Sequence, residues 1–392
     1  MKIAYIVETF TEGLGYIDNI LPFELAERGN EVHLVTCRLP AYYQRDEAFF
    51  GGLLKNVSVV DREMLRGVQI HTCKYRRVGS RIMMSGLLAK LREIAPDVVI
   101  VRGLSSPVLG QVIFCKAFVK FSLFTSTGQA YSAMPKELAR GIKISRRWIF
   151  HALTRILPGR IFSYFSKACI ASTEDCALCA VDFYGIPRNK LEVVPLGVDT
   201  TIFHPVRDDD SRHRRGLLRS KLGIREGDCV CIWTGRMTRA KSIMTLAHAI
   251  NELNDEGYAF VGLFVGAGPE SESLRGMRDC IVHDFVAWRE LADFYRASDL
   301  AVWPKSITTS TLDASACGLP VIMSDQEAAT ERWDGIGASY EEGSVQSLKN
   351  VLIRYLDSAK RLKDGSAGAS RMRDEYSWKI ISGRFQNFLE AR

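Results

Sequence analysis

The run Thr234-Gly235-Arg236-Met237-Thr238-Arg239-Ala240-Lys241 sets two cations, Arg236 and Lys241, on one loop directly after an apolar stretch. Gly235 lets the chain turn there. A pair of fixed cations suits a diphosphate, because a guanidinium grips phosphate through two parallel hydrogen bonds while an ammonium acts as a point charge. Two solvated surface cations would show the same spacing. A second loop, Val265-Gly266-Ala267-Gly268-Pro269-Glu270, puts small residues after another apolar run, so backbone can approach a ligand or the next helix closely. It does not complete G-x-G-x-x-G. A third stretch runs from Trp303 to Asp313, rich in hydroxyls, and continues to Pro320. Thr309 or Ser310 can cap a helix whose free N–H groups can donate to a phosphate. Asp313 falls in the first turn, where its carboxylate can accept two ribose hydroxyls or simply complement the helix dipole. A fourth loop, Thr11-Glu12-Gly13-Leu14-Gly15-Tyr16, can bring backbone N–H groups to a phosphate or serve as a plain strand-to-helix turn.

The elements that must position these loops follow from patterning. Short apolar runs alternate with amphipathic stretches, which indicates parallel sheets covered on both faces. The first half offers strands at Lys2–Val7, Glu31–Thr36, Val68–Cys73, Asp97–Arg102, Phe121–Ser126 and Ala168–Ser172. Helices are expected at Tyr16–Arg28, Gly86–Ile94 and Ser106–Val119. The pattern restarts with strands at Cys229–Thr234, Ala259–Val265, Asp279–His283, Leu300–Trp303 and Val321–Ser324. Helices are expected there at Ser242–Glu256, Arg289–Ala297, Thr311–Ala316 and Val345–Asp357, and a closing one at Ser377–Glu390. The polar stretch His204–Arg215 reads as the linker. Two doubly wound α/β domains with a cleft between them are implied, their ligand loops at the carboxyl ends of strands.

Length agrees, since 392 residues exceed one ordinary core. No apolar run approaches the roughly 20 residues of a spanning helix. The ten cysteines lack a secretory signal and read as reduced, mostly buried thiols of a cytoplasmic protein. Cys176 and Cys179 form a lone C-x-x-C without further ligands nearby, so two faces of a helix turn are expected, and no metal. Asp208-Asp209-Asp210 reads as a solvated charge run. The net charge of +7 is uneven and does not indicate a nucleic acid. Lys136 to Lys167 carries eight cations against Glu137, interleaved with Trp148, Ile149, Phe150, Leu153 and Leu157. Such a segment lies on an anionic membrane surface, or packs its apolar side into the core and solvates the basic side.

Taken in order, the motifs resemble family 4 glycosyltransferases, retaining enzymes of the GT-B fold, over nearly the whole chain. Pro195–Pro205 resembles that family's domain-crossing signature, and Thr234–Lys241 its diphosphate clamp. Val265–Glu270, Arg289–Pro304 and Leu312–Ile322 follow in the family's order, and Ser377–Phe385 resembles its final helix. The resemblance implies an N-terminal acceptor-side Rossmann-like domain, residues 1–200, and a donor domain, residues 201–376, with helix 377–392 crossing back. It implies that Arg236 and Lys241 bind the donor diphosphate and stabilise the leaving group. Donor contacts would come from Gly15, Gly235, Gly266, Gly268, Thr309, Ser310 and Asp313, with backbone near Phe285 and Val286 facing the base. Two departures stand out. Lys305 occupies the place of the first Glu of the family's pair, where a cation pairs with phosphate or an acidic sugar. No histidine marks the acceptor side, where Arg102, Gln129 and Tyr131 are the polar candidates.

The implied activity is transfer from a nucleotide-diphosphate sugar, a co-substrate rather than a cofactor, to a glycan or lipid-linked acceptor, in surface polysaccharide or glycoconjugate assembly. The implied place is cytoplasmic, with peripheral binding at the inner face of the membrane. A nucleotide-sugar hydrolase or epimerase would share the fold. A non-catalytic partner subunit would account for Lys305.

Overall fold

The computed structural model describes residues 1–39, 63–79, 81–131, 134, 146–305 and 308–392. The chain divides into two units. The first ends at Leu196 and takes in Ile381–Arg392; the second is Gly197–Ile380.

The first unit is built on a sheet of strands β1 (Lys2–Thr9), β2 (Glu31–Cys37), β3 (Met64–Leu65), β4 (Val68–Val78), β5 (Arg81–Ser85), β6 (Val98–Arg102), β7 (Ser122–Thr127), β8 (Ala168–Ala171) and β9 (Leu191–Val193). Their order is β3-β4-β2-β1-β6-β7-β8-β9, with β5 on β4. Pairings from β4 through β9 are parallel, while β3 and β5 join β4 antiparallel. The central strands are buried on both faces, as in Ile3 to Ile6 and Val98 to Val101, which is why they read as continuous apolar runs. From Ile381 onward the last helix, Trp378–Glu390, packs on this unit. Arg28 Nε donates to Ser382 Oγ at 2.8 Å, and Phe388 meets Phe124 edge-on at 6.1 Å.

The second unit has six parallel strands: β10 (Cys229–Arg236), β11 (Phe260–Ala267), β12 (Cys280–His283), β13 (Leu300–Trp303), β14 (Val321–Ser324) and β15 (Gly337–Tyr340). The order β12-β11-β10-β13-β14-β15 is the doubly wound 3-2-1-4-5-6 arrangement. The order reverses between β10 and β13, so the connections that follow these two strands leave toward opposite faces of the sheet and open a crevice at their carboxyl ends. The first unit repeats this device between β1 and β6.

Several expectations shift. Tyr16–Arg28 is a short 3-10 turn at Ile17–Asn19 and a helix only over Leu21–Glu27. The stretch expected to link the domains is not a linker. The division falls at 196/197, and Asp209–Lys221 is a helix. Asp208 caps it by accepting from Ser211 N at 2.7 Å, so the aspartate run opens a helix and matches its dipole. Strand β15 and helix Ser358–Glu375 are additional. The cysteines are free and, apart from half-buried Cys280, buried. Cys176 and Cys179 lie on helix Glu174–Asp182, where burial pushes the Cys179 thiol up to about 12.

The ends of β10 and β11 approach through glycines. Gly235 pairs with Gly266, and a Cβ on Gly266 would lie 1.9 Å from Gly235 O; one on Gly268 would lie 2.3 Å from Met237 O. Both glycines have strongly positive φ. Gly266→Ala should therefore destabilise the second unit by about 2 kcal/mol or more, the cost of overpacking combined with backbone strain. Urea denaturation read by tryptophan fluorescence would measure it; an unchanged midpoint would show that the strand ends can part freely.

Candidate functional site

Strand β10 delivers the cation pair to the crevice. Its last residues are Gly235 and Arg236, and a 3-10 turn, Arg239–Lys241, leads into helix Ile243–Asp255. Ser242 takes a left-handed conformation at the junction, φ +51°. Arg236 is exposed and Lys241 half-buried. Burial pulls the Lys241 ammonium below its ordinary value and the Arg236 charge adds to this, while Glu327 acts in the opposite sense. A partly desolvated cation beside a like charge gains from an anion, so the spacing seen in sequence becomes an electrostatic demand. Glu327 follows β14 and was not foreseen. Its position shows only once β14 is known to end at the same sheet edge.

The glycine loop after β11 lies beside this pair. Gly268 N donates to Ser271 Oγ at 3.0 Å, and Glu270 N to Met237 O at 3.0 Å, which ties the loop to the clamp's own backbone. The loop after β12 carries half-buried Phe285 and buried Val286.

The hydroxyl-rich stretch behaves differently from expectation at its cap. Thr309 is the residue before helix Ser310–Ala316, but its side chain makes no capping bond. Thr308 Oγ1 accepts from Ser310 N at 3.4 Å instead, and Thr308 O accepts from Thr311 Oγ1 at 2.8 Å. Residues 306 and 307 of this stretch lie outside the described residues. Below it, Tyr295 Oη and Thr234 Oγ1 share a hydrogen bond of 2.9 Å, and Trp303 Nε1 donates to Thr234 O at 3.2 Å. The first bond fixes helix Leu291–Ala297 to β10, and the second fixes β13 to β10, under the loops.

Asp313 is buried, 6% exposed. Burial pushes its carboxyl up to about 8; a hydrogen bond with Trp288 and the charge of Arg332 lower it, and Asp199 raises it. At neutral pH it is therefore largely a neutral acid that donates as well as accepts. Lys305, after β13, is ion-paired with Glu342 at 2.5 Å, and Glu342 Oε2 accepts from Ser324 Oγ at 2.9 Å. Glu342 was not foreseen as the partner of Lys305, since it is 37 residues away.

In the first unit, the loop after β1 turns at Gly13, φ +85°, with Gly15 half-buried beyond it. Asn19 Nδ2 closes this loop on Thr11 O. Arg102, at the end of β6, pairs with Asp18 at 3.3 Å, and buried Tyr5 donates to the same carboxylate at 2.8 Å. Gly128 stands beside Arg102, since a Cβ there would lie 3.9 Å from Arg102 Nη2. The Gln129 amide is held at both ends: Oε1 accepts from Tyr184 Oη at 2.9 Å, and Nε2 donates to Met134 Sδ at 3.0 Å. Tyr131 packs on Phe183 at 5.2 Å. Arg102 and the 128–129 turn are thus neighbours, while Gln129 and Tyr131 are tied into packing.

Of the basic segment, residues 135–145 lie outside the described residues. Helix Arg146–His151, a π turn at Ala152–Ile156 and helix Leu157–Phe165 carry the rest. Phe150, Leu153, Leu157, Ile161 and Tyr164 form a stripe spaced three and four apart, and all are exposed, Tyr164 by 83%. This stripe stays outside the core, while Ile156 and Phe162 of the same segment pack against it. Among the described residues no helix is long and apolar enough to cross a membrane.

The family model described as Glycosyltransferase Family 4 matches residues 23–202, and that described as Glycosyl transferases group 1 matches residues 228–358. The chain belongs to glycosyltransferase family 4. A D-inositol 3-phosphate glycosyltransferase of Xylanimonas cellulosilytica is 34% identical over 168 residues, 40% of each chain. A GDP-mannose-dependent monoacylated alpha-(1-6)-phosphatidylinositol monomannoside mannosyltransferase of Corynebacterium glutamicum is 26% identical over 51% of this chain and 56% of its own. The matches thus span about half the length of these curated relatives. Anabaena HepE in complex with UDP-glucose superposes with a TM-score of 0.71 at 15% identity, covering 100% of both chains. Sucrose-phosphate synthase from Thermosynechococcus elongatus gives 0.71 at 16%, covering 99% and 98%. The architecture is GT-B, two Rossmann-like parallel-sheet units.

Burial of Asp313 yields a pH prediction. Its folded value lies above the unfolded one, so the folded state holds the proton more tightly and stability falls as pH rises from about 4 towards about 8. Asp313→Asn should raise Tm relative to the native chain more at pH 8 than at pH 5. Equal gains at both values would mean the carboxyl is ionised in the fold.

Proposed function

We propose that the chain transfers a sugar from a nucleotide-diphosphate donor to a glycan or lipid-linked acceptor, with retention, in surface polysaccharide or glycoconjugate assembly. The observation that carries this reading is the half-buried Lys241 ammonium beside Arg236 at the crevice of the second unit. In the reaction the bond between the sugar's anomeric carbon and the diphosphate oxygen breaks, and a bond to the acceptor oxygen forms on the same face. The acceptor's proton passes to the departing phosphate. Arg236 and Lys241 stabilise the charge that develops on that phosphate, and such fixed charges act strongly where water is excluded. These side chains supply the positive field without a metal, so turnover in the presence of EDTA is expected.

A thermal-shift screen of UDP, GDP, ADP and their sugars tests donor binding. A ligand at 100 times its Kd adds about 2.7 kcal/mol to stability. Lys241→Ala should weaken the nucleoside diphosphate that binds by about ten- to a hundredfold, as expected for a lost charged hydrogen bond. Unchanged affinity would remove the clamp from the site. Product analysis with donor alone separates transfer from hydrolysis or epimerisation: free or isomerised sugar at full turnover would sink the transferase reading.

The exposed stripe of residues 150–164 supports an acceptor met at the inner face of an anionic membrane. Arg146, Arg155, Arg160 and Lys167 lie on the same segment and are exposed, and basic residues near such a surface contribute about 1 kcal/mol each. The full chain should float with vesicles of phosphatidylglycerol and phosphatidylcholine and not with phosphatidylcholine alone. Phe150→Asp with Leu157→Asp should abolish flotation. Equal flotation of that variant, or indifference to lipid charge, would refute the surface.

A further inference from the structure

At the carboxyl edge of the second sheet, three adjacent strands end in polar side chains that converge. Lys305 follows β13, Ser324 ends β14, and Glu342 follows β15. Lys305 Nζ donates to Glu342 Oε1 at 2.5 Å, and Ser324 Oγ donates to Oε2 at 2.9 Å. Glu342 N donates to Asp325 Oδ1 at 3.1 Å, and Gln326 N to Ser324 Oγ at 3.0 Å, so backbone braces the Asp325 carboxylate and the Ser324 hydroxyl. Tyr340 Oη on Pro304 O at 2.8 Å ties β15 to the segment that carries Lys305. The group is built rather than incidental. It is also accessible, with the Lys305 side chain 45% and the Glu342 side chain 26% exposed.

We propose that the Lys305–Glu342 pair is the sugar-selecting element of the donor site, recognising the hydroxyls of an uncharged sugar and rejecting one that carries a carboxylate. This rests on the donor-transfer reading above and extends it to the class of sugar. An ammonium has three donors, and one is used on Glu342. The other two can meet hydroxyl oxygens. Each carboxylate oxygen has a second acceptor site, which can take a hydroxyl proton. A vicinal diol needs this combination of donor and acceptor side by side. An anion does not find a free positive charge here. Lys305 is matched by Glu342, and Asp325 adds another negative group, so the three together carry a net charge of −1 (one cation, two anions). A sugar carboxylate that reached the remaining Lys305 donors would lie beside both Glu342 and Asp325, whose like charges oppose it where they do not oppose a neutral hydroxyl. Lys305 on its own would favour an acidic sugar; the partner reverses that preference.

The test compares kcat/KM for donors that differ only in the sugar's charge. UDP-glucose and UDP-glucuronate serve if the chain binds UDP, and GDP-mannose and GDP-mannuronate if it binds GDP. The native chain should prefer the uncharged sugar by about a hundredfold, from the value of charged hydrogen bonds lost and a group left unpaired. Glu342→Gln leaves Lys305 uncompensated and should narrow that ratio at least about tenfold, with nucleoside diphosphate affinity unchanged. Lys305→Met should lower use of the uncharged sugar about tenfold. The exchange variant K305E/E342K should recover activity beyond the product of its two single changes. Equal use of both sugars by the native chain, or an unmoved ratio in Glu342→Gln with nucleoside diphosphate still bound, overturns the pair alone. Failure of every nucleoside diphosphate to bind overturns the donor-site reading, and the pair with it.

Discussion

The second unit depends on how closely β10 and β11 can lie at their carboxyl ends. Gly266 abuts Gly235 and Gly268 abuts the Met237 backbone, with no room for a side chain at either contact. This approach lets the clamp loop and the glycine loop share hydrogen bonds at Met237. With the sheet order reversing between β10 and β13, it leaves the Arg236–Lys241 loop at the mouth of the crevice. A side chain at Gly266 would separate the strands and move both loops together. The glycines thus act on the cations through backbone packing, and their conformational freedom is used where two strands must touch.

Two lysines at one sheet edge show how environment divides roles. Lys241 is half-buried; burial pulls its ammonium down, Glu327 offsets part of this, and the Arg236 charge lowers it a little further. Lys305 has its carboxylate at hydrogen-bonding distance. Burial alone would raise the Glu342 carboxyl, but hydrogen bonds from Lys305 and Ser324 and the Lys305 charge more than offset this and hold it below the usual range. One lysine is held chiefly by burial, the other by a carboxylate that neutralises it. Asp313 completes the contrast, because burial keeps its acid protonated. A protonated acid can donate to a neighbour as well as accept, which an ionised carboxylate cannot.

Much of this was legible in the sequence, for a physical reason. Strands buried on both faces must be apolar throughout, so β1, β2, β6, β10, β11, β13 and β14 announced themselves within a few residues. The loops at the strand ends carried the charges and glycines, and the Arg236–Lys241 run stood out. Helix Ser358–Glu375 did not, because it docks through small residues. Gly365 abuts Gly318 O and Gly368 abuts Ser315 Oγ, and neither contact leaves an apolar stripe to read. Helix Asp209–Lys221 was hidden by its charge, although Asp208 and Ser211 form a capping box. Strand β15 holds Gly337, Ala338 and Ser339, too few large apolar residues to mark a strand. Glu342 was invisible as a partner, since only the parallel pairing of β13, β14 and β15 brings it to Lys305.

The basic segment shows what periodicity leaves open. A helical stripe of apolar residues is compatible with facing the core or facing outward, because spacing fixes which residues share a side and not what that side meets. Here neighbours decide. The buried side of Leu157–Phe165 is made of Gly159 and Ser163. Gly159 has no room for a Cβ, which would lie 2.2 Å from the Tyr184 ring, so this helix approaches its unit closely through a glycine. Phe162 lies on Gly110 of the neighbouring helix Pro107–Cys115, and Arg81 Nη2 donates to Thr154 O. Gly159, Ser163, Phe162, Ile156 and backbone contacts do the anchoring, and Phe150, Leu153, Leu157, Ile161 and Tyr164 are left on the surface. Exposed apolar area of this kind carries a cost in water that a partner surface removes. That the same segment is basic sets the sign of the partner: a surface of opposite charge gains from both features at once, and a neutral one from only one of them.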